Sequence, residues 1–84
     1  MSNKETLPPF SPEAQSLKVG ATYEHYKGNR YKFIAIARHS ETLEELVVYQ
    51  ALYGDHGVWV RPLPMFCEAI LINDSMLPRF KLVS

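Results

Sequence analysis

Cysteine is nearly missing from this chain. Cys67 is the single one among 84 residues, so no disulfide can form within it, and a reducing, cytoplasmic setting is the expectation. A lone cysteine of this kind reads as a small core residue before it reads as a catalytic thiol. Long apolar runs are missing too. Nothing approaches the roughly 18 residues needed to span a bilayer, and Met1 to Leu7 carries Lys4 and Glu5 without the apolar stretch of a secretory signal. Glycine is sparse, at positions 20, 28, 54 and 57, each near a strand end or turn, which excludes a glycine-rich phosphate loop. Net charge is zero, nine basic residues against nine acidic, which argues against a general nucleic-acid coat.

What is present is enough for one small globule. Hydrophobic residues make up 46% and aromatics 12% of the chain. At this length only about 60% of the unfolded surface is buried on folding, so the core is modest. Charge is unevenly spread. Over residues 18–38, Lys18, Lys27, Arg30, Lys32 and Arg38 stand against Glu24, and over residues 39–74, Glu41, Glu44, Glu45, Asp55, Glu68 and Asp74 against Arg61. That polarity reads as attraction between strands or as a binding footprint.

Residues 1–16 read as a flexible N-terminal arm, with Pro8, Pro9 and Pro12 among polar residues and at most one helical turn started by Ser11-Pro12. Residues 17–84 read as the domain. From Gly20 the pattern is β. Two strands flank Gly28-Asn29 as a hairpin, and a three-residue loop with left-handed Asn29 predicts Tyr23 opposite Phe33 and Glu24 opposite Lys32. A second hairpin runs from Glu45–Tyr53 to Val58–Arg61. With Gly57 left-handed, Tyr53 meets Trp59, Leu52 meets Val60 and Ala51 meets Arg61. Leu46, Val48, Leu52, Val58 and Val60 then form the expected core face, leaving Val47, Tyr49, Tyr53, Trp59 and Arg61 on the other. Pro64 opens a helical turn over 64–68, Ala69–Ile72 is a strand, residues 73–75 turn, and Arg79–Val83 is the last strand. The fold class expected is mainly β: a small antiparallel SH3-like barrel of five or six strands.

The segments His25-Tyr-Lys-Gly-Asn-Arg-Tyr31, His39-Ser-Glu-Thr42, Val47-Val-Tyr-Gln-Ala-Leu-Tyr53, Trp59-Val-Arg-Pro62, Met65-Phe66 and Arg79-Phe80 follow in close order. In this the chain resembles a bacterial family catalogued as domain of unknown function 1653, over about residues 19–82. The resemblance implies a small barrel-like domain and transfers no activity, cofactor or catalytic residue.

Four constellations bear on function. His39-Ser40-Glu41 holds a base, a hydroxyl and a carboxylate, but neighbours in an extended chain point to opposite sides, so a structured loop is preferred to a triad. His25, His39, His56 and Cys67 lack the paired spacing of a zinc motif, so no metal and no cofactor is expected. Tyr49, Tyr53, Trp59 and Arg61 combine the residue types enriched at binding hot spots and form the leading candidate site. The hairpin with Tyr26, Lys27, Arg30, Tyr31 and Lys32, together with His39, is the secondary one, suited to phosphates and stacked bases. The sequence therefore favours a non-catalytic binding module taking a peptide or protein segment. Single-stranded nucleic acid or nucleotide is the alternative, and a small enzyme around His39, Glu41 and Arg61 is a third reading. Either a monomer or a homodimer fits, with no membrane partner.

Overall fold

The computed structural model describes residues 7–84. Seven strands and two short helices follow in order: α1 (Pro12–Ser16), β1 (Thr22–His25), β2 (Arg30–Arg38), β3 (Glu45–Ala51), β4 (Val58–Pro62), α2 (Leu63–Phe66), β5 (Ala69–Ile72), β6 (Ser75–Pro78) and β7 (Phe80–Leu82). Five form one antiparallel sheet in the order β4-β3-β2-β1-β7, and β5 and β6 pair separately. The chain is mainly β as expected, and the barrel is a loose one. β4 and β7 are both edges, so the sheet curls without closing.

The aromatic rings explain which face is inside. Tyr23, Phe33, Val47, Tyr49, Leu63, Phe66 and Phe80 form the buried cluster, joined by Ala14 from α1. Phe66 and Phe80 stack at 4.2 Å with 6° between their planes, and Tyr23 and Tyr49 meet Phe66 at 5.6 Å each. This reverses the core assignment made from sequence. Val47 is fully buried, whereas Val58, Val60 and Leu52 are 61%, 55% and 39% exposed, and Leu46 and Val48 are only half-buried. The two groups are those that strand alternation predicts, but the group of Val47 and Tyr49 lies inside rather than that of Val58 and Val60. Each aromatic ring removes roughly 150–250 Å² from water, more than a valine does. A single curled sheet can cover only one face, so it covers the aromatic one.

Both hairpin registers also slip while keeping that parity. Tyr23 faces Tyr31 and Glu24 faces Arg30, because the left-handed residue is Gly28, at φ 108°, rather than Asn29. Tyr49 faces Trp59, Val48 faces Val60 and Val47 faces Arg61. β3 ends at Ala51, and the Leu52 N–H makes the last rung to the Arg30 carbonyl of β2. The loop then reverses through Gly54 and His56, both at positive φ, instead of Gly57. A bulge between Phe33 and Ala35 shifts the β2–β3 pairing, so that Ile36 faces Val47 and packs on the core.

The last third holds a hairpin the sequence reading divided differently. Asn73 and Asp74 both have positive φ, at 51° and 66°, the requirement of a tight two-residue reversal. Ser75–Pro78 therefore returns along β5, and β7 begins only at Phe80, on the edge of β1. The helical turn expected over 64–68 is α2, with Pro64 in its first turn.

At the N-terminal side, Ser11 caps α1 through the Ala14 N–H, and Pro12 fills the first helical position. The Ser11 N–H and Oγ–H each donate to the Glu45 carboxylate at 2.7 Å. The Arg38 guanidinium lies 4.4 Å over the Phe10 ring. Residues 7–16 thus lie along the sheet, while residues 1–6 of the expected arm fall outside the described part.

Candidate functional site: an aromatic cleft with an arginine at its seam

Alternation along neighbouring strands sends Tyr31 of β2, Tyr49 of β3, and Trp59 and Arg61 of β4 to the concave face. With Tyr53 from the loop between β3 and β4 they line one open cleft of about 240 Å³. All four residues of the leading sequence candidate are in it.

Tyr49 is the floor, 5% exposed. Its ring meets Tyr31 edge-on at 5.2 Å and Phe80 at 5.5 Å. Tyr31 and Tyr53 are bridged through their hydroxyls at 2.8 Å, with rings 5.6 Å apart and nearly perpendicular. Trp59, the one tryptophan, is 58% exposed and forms a rim. Arg61 donates from Nε to the Tyr49 hydroxyl at 3.2 Å, and its guanidinium lies 5.4 Å over the Phe80 ring. Arg61 on β4 and Phe80 on β7 thus meet across the open seam of the barrel, and the cleft sits at that seam.

The electrostatics follow from Arg61. Among the described residues the ion pairs are Arg30 with Glu24 and Arg79 with Glu68, so this half-buried guanidinium has no carboxylate partner. Its field reaches His25, whose pKa is lowered first by burial and then by Arg61, Arg79 and Lys27. Burial, followed by the hydrogen bond to Tyr53, pushes Tyr31 up to about 12. At neutral pH the cleft lining offers phenol hydroxyls, ring faces and a guanidinium, with no carboxylate, imidazole or thiol.

The secondary candidates are not gathered in one place. Tyr31 belongs to the cleft just described. Lys27 leans on the Tyr26 ring at 5.8 Å, Arg30 is engaged by Glu24, and Lys32 lies on the opposite face of β2 from Tyr31 and Phe33. His39 stands beyond the far end of β2, roughly 30 Å along the strand from Arg30 at about 3.3 Å per residue. Its Nδ1 accepts the Glu41 N–H at 3.0 Å, and its carbonyl accepts from Leu43. His39-Ser40-Glu41 is accordingly a turn. The sequence reading also omitted Phe80 as the backing of Arg61. Its place two residues after Pro78 disguised it as the start of an isolated final strand.

A larger cavity of about 340 Å³ lies against α1 and α2, lined by Ser11, Glu13, Glu44, Glu45, Leu63 and Cys67, among others. Glu45 there is held below the usual carboxylate range by its two Ser11 bonds, and nothing in the lining is cationic. Cys67 is exposed rather than a core residue; it is the C-cap of α2, with its N–H bonded to the Leu63 carbonyl. Partial desolvation of the thiol against the seam, followed by the charge of Glu13, pushes its pKa up, away from nucleophilic thiolate. This is a seam between helices and sheet. Among the described residues no three His, Cys, Asp or Glu side chains gather as metal ligands, and no helix is long and apolar enough to cross a membrane.

Fold and cleft together define a small mainly β, SH3-like domain with a solvent-open aromatic face. The chain belongs to the family described as protein of unknown function (DUF1653), whose model matches residues 21–82. It is similar to a protein of that family from Bordetella bronchiseptica, known from its crystal structure. The two are 36% identical, with a TM-score of 0.74 over 83% of this chain and 91% of the other. No curated protein matches the chain.

Proposed function

We propose that the domain is a non-catalytic binding module that takes a peptide or protein segment in the cleft of Tyr31, Tyr49, Tyr53, Trp59 and Arg61. The observation that carries this reading is Arg61, half-buried among rings with no acidic partner among the described residues. A desolvated cation costs stability unless its charge is met, and a ligand anion meets it. Exposed Trp59 beside it supplies stacking area at low entropic cost. The lining lacks a general base or nucleophile, which favours binding over turnover. One cation with the remaining basic groups dispersed favours a peptide over a nucleic-acid strand, whose backbone needs a continuous basic track.

An amide-shift titration of the labelled protein with pooled peptides and, separately, with oligonucleotides tests the proposal. Shifts confined to residues 49–61 and Tyr31, lost in Arg61→Ala and Trp59→Ala while far-UV circular dichroism is kept, support it. Peptide affinity unchanged in both variants overturns it. Oligonucleotide binding that weakens steeply with salt and depends on Lys27, Arg30 and Lys32 transfers the function to the hairpin tip.

A further inference from the structure

The strand that carries Trp59 and Arg61 is also a sheet edge with no strand beside it among the described residues. β4 lies first in the order β4-β3-β2-β1-β7. The Ala51 N–H donates to the Gly57 carbonyl at 2.9 Å, so residues 57, 59 and 61 are the ones whose backbone groups bond β3. By the alternation of an antiparallel ladder, Val58 and Val60 turn their N–H and C=O outward. Proteins usually blunt such an edge with lysine, a bulge or a covering segment. Over Val58–Val60 there is no lysine and no bulge, and Val58, Trp59 and Val60 are all more than half exposed. Only Pro62, which has no N–H, ends the run.

From this we infer that the segment bound in the cleft is an extended, acidic peptide that adds to the sheet along β4. The inference rests on the binding reading above and specifies its ligand. Pairing with the outward groups of Val58 and Val60 fixes the register of the added strand. Its alternate side chains then point to the concave side, one beside Trp59 and one beside Arg61. Directly opposed residues stand with Cβ atoms about 4.5–5.5 Å apart, so an acidic residue opposite Arg61 brings a carboxylate to a guanidinium that has none among the described residues. Charge selects this occupant over a second copy of β4. The segment Val58-Trp-Val-Arg-Pro62 carries one cation and no acid, so pairing it with itself brings two guanidinium groups to the interface and no carboxylate.

The test uses the full chain and capped, fluorescein-labelled octapeptides of alternating Thr and Val with a single central Glu. Fluorescence polarisation reads affinity, and amide hydrogen exchange reads the edge. The expected results are four. Replacing the peptide Glu by Gln weakens binding at least tenfold on the native protein and has no effect on Arg61→Gln. N-methylating one alternate set of peptide amides abolishes binding, whereas methylating the other set is tolerated. The Val58 and Val60 amides gain protection in the complex. Sedimentation shows one protein chain per peptide. Binding that shifts Trp59 and Arg61 but is indifferent to both methylation sets overturns strand addition and leaves the binding module standing. A protein dimer that excludes the peptide and protects the same two amides assigns the edge to a second copy and overturns the inference. Failure of every peptide, capped or pooled, to bind removes the binding reading itself.

Discussion

Tyr49 and Trp59 face each other across β3 and β4 on the same side of the sheet, yet truncating them should have very different consequences. Tyr49 is 5% exposed and Trp59 58%. With roughly 200 Å² for a fully buried ring and about 25 cal/mol per Å², Tyr49→Ala forfeits about 4–5 kcal/mol. Less than half of the Trp59 surface is covered, so Trp59→Ala forfeits about 2 kcal/mol, and less against a compact unfolded chain. A domain of this size has about 4–12 kcal/mol in total. Tyr49→Ala therefore removes at least about a third of that total, while Trp59→Ala stays folded and melts at most about 8–16 °C lower. Urea and thermal unfolding followed by far-UV circular dichroism give both values, since the second variant removes the tryptophan signal. Equal losses in the two variants would refute the division into a structural floor and an available rim. So would a Trp59→Ala protein that is unfolded at 25 °C.

The remaining perturbations address the fold and its charges. Val47→Thr should cost about 1–3 kcal/mol by burying a hydroxyl, and Val60→Thr should stay within about 0.5 kcal/mol; the opposite order in urea midpoints would restore the inverted core. Ser11→Ala removes the cap of α1 and the Oγ bond to Glu45, at about 0.5–2 kcal/mol, and should speed amide exchange at Ala14 and Gln15 ahead of the strands. His25 titrates below its ordinary 6.5, so below about pH 6.5 the unfolded chain takes up a proton the folded chain resists, and stability falls as pH drops through that range. His25→Asn keeps an acceptor for the Lys27 N–H, and should flatten the dependence of urea midpoint on pH between about 7 and 5.

How much of this was legible in the sequence depends on which signal carried it. The alternation of Val47, Tyr49 and Ala51 was readable, as was the company that Trp59 and Arg61 keep, because side-chain parity survives a slip by an even number of residues. Registers were not readable, because Gly28, Gly54 and His56 divide the reversals among several left-handed positions and no single loop length is implied. The inside of the sheet was not readable either. Two apolar faces compete, and the decision rests on Phe66 and Phe80, which come from elements distant in sequence and stack beneath Tyr49. Ser75–Pro78 was hidden because a strand of four residues ending in proline has no periodicity to show. Tyr31 was seen as part of the basic tip because proximity along the chain is visible in a sequence. Its hydroxyl contact with Tyr53 is not.

Arg61 offers the sharpest separation of stability from function. If its role were structural, the bond from Nε to the Tyr49 hydroxyl and the contact with Phe80 would be its reward, and removing the charge would weaken the fold. The alternative is that a half-buried cation without a carboxylate among the described residues is kept at the expense of stability for the sake of a ligand. Arg61→Met discriminates between them. Methionine preserves the apolar stem and the contact with Phe80 while it deletes the charge. It leaves only the Tyr49 hydroxyl to find another partner, beside the open cleft that Tyr49 lines. The expected result is a melting temperature unchanged or raised by up to about 8 °C, corresponding to about 1 kcal/mol, together with loss of the preference for Glu over Gln in the bound peptide. A fall in melting temperature of the same size would make Arg61 a strut for Tyr49 across the open seam, and the charge would need no ligand to account for it.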